Sequence, residues 1–277
     1  VLFGSMLWTT IDGVVEKNLL AFEWSTFRTW SVIGRIGLAW GASALLYVFC
    51  GRRLRIAVVA AILLVMWAVL FIPAPGAPEG VVPMTSGKYL WCNWFGREYL
   101  TIAHRSGEGA VSTVTMIATA SFGVFAGEIL AAKDLAKGRK AIRLVVFAIG
   151  LIALGLLVAF GFGKWSLPVN KPVWSSSFAL VAGGISAALL ALFYWIVDVK
   201  GWRRWGFFFK VIGMNAITIY ILARTVLNYG FLKAYFFGGI SQHLSAPVAE
   251  FVSQVGLIAL GWTLLHYLYK KNIFLRV

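Results

Sequence analysis

The sequence predicts an all-α, polytopic transmembrane helix bundle with seven full spans and a partial helix at its start. Three observations carry this reading. Of the 277 residues, 60% are hydrophobic and only 13% charged, whereas soluble chains carry about 25% charged residues. The mean hydropathy is +0.84. The apolar residues fall into separate runs long enough to cross about 30 Å of hydrocarbon, which takes roughly 17 to 25 helical residues.

In chain order the runs are Trp30 to Cys50, Ile56 to Ile72, Ala110 to Ala132, Leu144 to Gly163, Trp174 to Val197, Trp205 to Leu227 and Val248 to Tyr269. Before them, Val1 to Trp8 reads as the tail of a further helix, without a basic leader or cleavage site. The expectation is a single transmembrane domain over 1–277 that begins inside a longer polypeptide. The connections alternate in basic content. Arg52, Arg53 and Arg55 follow the first run, Lys133, Lys137, Arg139, Lys140 and Arg143 the third, Lys200, Arg203 and Arg204 the fifth, and Lys270, Lys271 and Arg276 the last. The other connections hold only Lys88, Arg97, Arg105, Lys164, Lys171 and Lys233. Basic loops stay in the cytoplasm, so the first set faces inward and the C-terminus is cytoplasmic.

The same distribution accounts for most of the net charge of +15 as a topology signal, and argues against nucleic acid as a partner. The longest outer connection, 73–109, opens with PAPGAPEG and continues through the aromatic KYLWCNWFGREYL, an interfacial segment in which rings rest at headgroup level. A second outer loop, Asn228 to Ala246, repeats the aromatic pattern. Cys50 and Cys92 form no disulfide framework or metal set. His104, His243 and His266 are too scattered for a metal cluster, and no hydrolase, zinc-protease or nucleotide-binding motif occurs. Gly37 with Gly41 and Gly123 with Gly127 read as helix-packing pairs.

Function is sought in polar groups placed within spans, because each costs free energy unless it is paired or lines a wet cavity. Arg28 and Arg35, seven apart, share one helix face near its outer end. They either snorkel to the interface or line a pocket. Glu108, Ser112, Thr115 and Thr119 form a stripe down the outer half of the third run. It is a pocket wall, or a set of hydroxyls bonded back to their own helix. Asn170, Lys171, Trp174, Ser175 and Ser176 enter the fifth run from outside, as a ligand-facing helix start or an ordinary capped one. Asn215 lies ten residues after Trp205, about 15 Å inward at 1.5 Å per residue. An amide there joins helices or touches a ligand.

The segments RTWSVIGRIG (28–37), EGAVSTVTMIATASFGVFAG (108–127), NKPVWSSSF (170–178), DVKG (198–201) and GMNAITIY (213–220) resemble, in order and spacing, the heparan-α-glucosaminide N-acetyltransferase family and its bacterial relatives. The match is to the family's C-terminal portion. The resemblance implies a polytopic enzyme that takes acetyl from cytoplasmic acetyl-CoA and delivers it to the amino group of a glucosamine across the membrane. It implies Arg28, Arg35, Glu108, Ser112, Asn170, Lys171, Trp174, Ser175, Ser176 and Asn215 as contacts for substrate. Lys200, Arg203, Arg204 and Lys210 would meet the anionic head of acetyl-CoA, unless they are topology signals alone. The family's catalytic histidine belongs to a segment ahead of everything matched, and no histidine here inherits its role; Gly34 stands where the family usually has Gln before the second arginine. The partners expected are lipid bilayer and amino sugar, in a homodimer or larger assembly. The alternative from another class is a non-catalytic, N-terminally truncated member of the fold serving as a structural subunit of a membrane complex.

Overall fold

The computed structural model describes residues 32–71, 110–171, 173–225, 229–241 and 244–274. Every regular element among them is helical. The chain divides into two compact units, 1–195 and 196–277.

The first unit contains α1 (Val32–Phe49), α2 (Arg52–Val69), α3 (Ala110–Ala131), α4 (Lys137–Phe160) and α5 (Ser176–Tyr194), the last running on through a π turn over Trp195–Val199. The pairings follow from the contacts. Arg35 meets Ser112 and Ser43 meets Ser121, so α1 and α3 run parallel with a nearly constant offset. Arg55 of α2 meets Glu128 near the end of α3, and Val59 shares a cluster with Phe122, Ala118, Leu151 and Leu180, so α2 runs antiparallel to α3. A second cluster joins Ala126, Leu144 and Ala191.

The tightest packing is between α4 and α5, where small residues bring two backbones together. A Cβ added at Gly184 would stand 2.9 Å from the Ala148 carbonyl oxygen and 3.0 Å from the Ile152 nitrogen; one at Gly155 would stand 3.0 Å from the Val181 nitrogen. The glycines expected to pack behave differently. A Cβ at Gly41, Gly123 or Gly127 meets nothing within 4 Å, so the spacing of the pair at 123 and 127 is not a contact between described helices. Small-residue spacing identifies a smooth helix face and does not say what lies against it.

Four described helical stretches are long and apolar enough to cross a membrane: Ser112–Ala131, Lys137–Phe160, Ser176–Val199 and Ala246–Lys270. They match four of the seven expected runs. The first run gives a shorter apolar helix, Gly34–Phe49, and the second gives α2, whose first turn carries Arg52, Arg53 and Arg55. Large side chains such as Val48, Phe49, Val146 and Phe160 are exposed on the outside of the unit, as expected of helices solvated by lipid.

The second unit contains α6 (Gly206–Met214), α7 (Ala216–Thr225), α8 (Tyr229–Ser241) and α9 (Ala246–Lys270). Two expectations change here. The sixth run is not one helix: it breaks at Asn215, whose φ of −128° and ψ of 27° leave the helical region. Gly213 and Asn215 are weak helix formers, which favours a break at such a point. The loop expected after Asn228 contains α8, because its aromatic residues have α9 to pack on; a Cβ at Gly256 of α9 would collide with the Phe237 ring.

Candidate functional site

In the first unit the polar residues gather along the α1–α3 interface. Arg35 is 6% exposed and Ser112 1%, and the Arg35 guanidinium Nη1 donates to the Ser112 hydroxyl at 3.2 Å. Arg35 is thus packed against α3 and away from the outer surface of the helices. One turn on, Thr115 is fully buried, and its hydroxyl has no hydrogen-bond partner among the described residues. At the next step the indole Nε1 of Trp174 donates to Thr119 Oγ1 at 3.3 Å. The stripe read from the sequence is therefore bracketed by Arg35 at one end and Trp174 at the other. Ser112 to Thr119 covers about 10 Å of helix. Arg28 and Glu108 lie outside the described residues, as do His104 and His243.

The polar line continues beyond the residues singled out from the sequence. Ser43 of α1 and Ser121 of α3 sit 3.2 Å apart, each within reach of the Ile117 carbonyl. At the far end Glu128 accepts from Arg55 Nη2, with Arg52 Nε at 3.7 Å, and the Arg55 guanidinium lies 4.6 Å from the centre of the Tyr47 ring. A cavity of about 330 Å³, bounded by Trp40, Ser43, Tyr47 and Glu128 among others, opens between α1 and α3 here. Glu128 was visible in the sequence as an acidic residue within an apolar run. Its partner was not, because Arg55 looks like one more topology signal.

The turn leading into α5 explains the NKPVWSSSF motif. Ser175 is the N-cap of α5: its Oγ accepts from the Phe178 nitrogen at 3.2 Å and the Asn170 nitrogen at 3.1 Å, and lies 3.1 Å from the Pro168 carbonyl. Ser177 Oγ donates to the same carbonyl at 3.0 Å. Ser176 Oγ donates to the Leu63 carbonyl of α2 at 2.7 Å. These hydroxyls hold the turn and tie α5 to α2. Trp174 is carried on that turn at φ 53°, a left-handed conformation that costs a residue with a side chain about 1 to 2 kcal/mol. The bond between its nitrogen and the Lys171 carbonyl and the bond to Thr119 hold it there. Asn170 Oδ1 is buried without a partner, and Lys171 is exposed.

In the second unit Asn215 is 1% exposed. Its Oδ1 accepts from Thr218 Oγ1 at 3.3 Å, and its Nδ2 has no hydrogen-bond partner among the described residues. Lys200, Arg203, Arg204 and Lys210 are all exposed, and the Lys210 ammonium stands 5.6 Å from the centre of the Tyr269 ring. His266 stacks on Trp262 at 4.8 Å and meets the edge of Phe207. Among the described residues no three acidic, histidine or cysteine side chains are placed to hold a metal.

Apolar helices of spanning length around buried hydroxyls and the buried guanidinium groups of Arg35 and Arg55 define a helical membrane protein with a polar interior. No family model matches the chain. It is 30% identical to mouse (Mus musculus) heparan-alpha-glucosaminide N-acetyltransferase over 246 residues, 76% of this chain and 36% of the mouse protein. It is 31% identical to the human (Homo sapiens) protein of that name over 176 residues, 61% of this chain and 25% of the human protein. The chain is therefore related to the heparan-alpha-glucosaminide N-acetyltransferase family, as its motifs predict. It spans about a third of the mouse relative's length and a quarter of the human one's.

Proposed function

We propose that this chain belongs to a membrane-embedded acetyltransferase that moves acetyl from cytoplasmic acetyl-CoA to the amino group of an amino sugar on the extracytoplasmic side of a bacterial inner membrane. The observation that carries the reading is the polar line of buried Arg35, Ser112 and Thr115 with half-buried Thr119 and Trp174, in a chain related to enzymes named for N-acetyl transfer to glucosaminide. With the basic connections inside, this line lies at the outer end of the first unit's helices. Arg52, Arg55 and Glu128 then sit at the inner end.

Acetyl transfer forms a C–N bond and breaks the thioester C–S bond: the sugar ammonium first gives a proton to water, the free amine attacks, the thioester oxygen gathers charge, and coenzyme A leaves as the thiolate, which takes up the second proton of the attacking nitrogen. In this reading the Arg35 guanidinium and the Ser112 and Thr115 hydroxyls bind the sugar's hydroxyls, together with Asn170 Oδ1, which is buried without a partner. The half-buried Trp174 ring offers an apolar face to the sugar, with Lys171 at the rim. Ser175 and Ser176 hold the turn that places Trp174. The resemblance adds Arg28 and Glu108, which lie outside the described residues, to the sugar contacts. Within the second unit, Asn215 Nδ2, buried and without an acceptor among the described residues, is a donor available to acetyl-CoA. Lys200, Arg203, Arg204 and Lys210 attract its phosphates.

The test is the intact native protein reconstituted into vesicles, with acetyl-CoA on one side and glucosamine on the other. The expected product is N-acetylglucosamine. Arg35→Met removes a charge-assisted hydrogen bond worth about 1.5 to 3 kcal/mol, so kcat/KM for the sugar falls by roughly 10- to 100-fold. Absence of transfer by the wild-type protein, or wild-type kinetics in a folded Arg35→Met variant, refutes the reading or its site respectively.

A further inference from the structure

The second unit contains a larger cavity, about 660 Å³, that plays no part in the proposed reaction. Its walls are almost wholly apolar: Ile212 and Ile219 from α6 and α7, Leu232 and Phe236 from α8, Leu257 and Leu265 from α9. Polar groups gather at one end only. There Lys233 and Gln254 line the cavity, Lys233 pairs with Glu250, and Gln254 Nε2 donates to the other Glu250 oxygen at 2.8 Å. Along α9 the lining runs from Gln254 to Leu265, about 16 Å at 1.5 Å per residue. One leaflet of a bilayer with a hydrocarbon core of about 30 Å is about 15 Å deep. The groove is thus as long as one leaflet and polar only where a headgroup would lie.

The charge at that end discriminates among headgroups. A lone lysine would favour an anionic lipid. Here Lys233 is neutralised by Glu250, and the pair is open to its surroundings, with side chains 36% and 53% exposed. A neighbouring plus and minus match a headgroup that carries a phosphate and an ammonium together. We propose that this groove is a binding site for a zwitterionic aminophospholipid of the phosphatidylethanolamine class, one acyl chain lying along α9, its phosphate against Lys233 and its ammonium against Glu250. The site is independent of the acetyl-transfer reading.

Gly261 provides the means of testing it. It lines the groove, and a Cβ there meets only Ile219 Cδ1 at 3.7 Å, an ordinary contact. Gly261→Ala leaves the groove open; Gly261→Phe fills it. The intact protein is reconstituted into vesicles of equal phosphatidylethanolamine and phosphatidylglycerol, extracted in mild detergent, and its retained lipid read by native mass spectrometry. The wild type and Gly261→Ala are expected to retain one phosphatidylethanolamine, preferred by up to about fivefold, the most an exposed ion pair supplies. Gly261→Phe loses it. Glu250→Gln leaves the lysine charge alone and turns the preference toward phosphatidylglycerol, a result independent of whether Gly261→Phe folds. No retained lipid in the wild type, equal retention of the two lipids, no change with Glu250→Gln, or a groove closed by a second copy in a cross-linked dimer overturns the proposal.

Discussion

Replacing Ser175 by Ala separates a structural motif from a substrate contact. The hydroxyl is fully buried and caps α5 through the Phe178 nitrogen; losing an N-cap serine costs about 0.5 to 2 kcal/mol. The Asn170 nitrogen also donates to it, and stranding a buried donor costs about 1 to 3 kcal/mol. Part of the second loss is recovered if the turn relaxes, so the expected destabilisation is about 2 to 4 kcal/mol. At about 2 to 4 °C per kcal/mol for a domain of this size, the melting temperature in detergent falls by roughly 4 to 16 °C. The assay is a thermal unfolding series on wild type, Ser175→Ala and Ser175→Thr, with acetyl-transfer kinetics below the transition. Ser175→Thr retains the cap and most of the stability, and KM for the sugar in the folded fraction of Ser175→Ala stays near wild type. An unchanged melting temperature together with a raised KM would show that the hydroxyl faces substrate, and the assignment of the motif to the turn would be wrong.

Three further outcomes follow from the packing. Gly184→Ala forces α4 and α5 apart because the new Cβ meets backbone at 2.9 Å, and overpacking of this kind costs about 1 to 3 kcal/mol; Gly123→Ala, with nothing within 4 Å, leaves the melting temperature unchanged or slightly raised, and equal effects in the two would contradict the α4–α5 contact. Arg55→Ala leaves Glu128 with only Arg52, at 3.7 Å, and removes a charged hydrogen bond worth about 1.5 to 3 kcal/mol, to be read by chemical denaturation. Trp174→Phe loses the bond to Thr119, about 1 kcal/mol, and Thr119→Val on that background should cost nothing more by way of that bond; full additivity of the two in a double-mutant cycle would show that the bond contributes nothing.

Much of this protein is set by local sequence. Apolar runs of spanning length fixed helices near the observed bounds of α3, α5 and α9, because in lipid a backbone must satisfy its own hydrogen bonds and a helix does so within one segment. The four-residue and three-residue spacings of Ser112, Thr115 and Thr119 put them on one face for the same reason. The family relationship was legible in motifs such as NKPVWSSSF and GMNA.

What the sequence left open is what faces what. Arg35 finding Ser112 across 77 positions, and Arg55 finding Glu128 across 73, depend on how helices pack, and helical periodicity carries no information about a neighbour. The same limit explains the glycines: spacing marked 123 and 127, while Gly155 and Gly184 make the close approach. It also explains Asn215, where a run apolar enough for one span is broken by a buried amide. Composition and period determine that a helix lies in the membrane; only tertiary packing decides which of its polar groups are paired within the fold and which remain for a ligand.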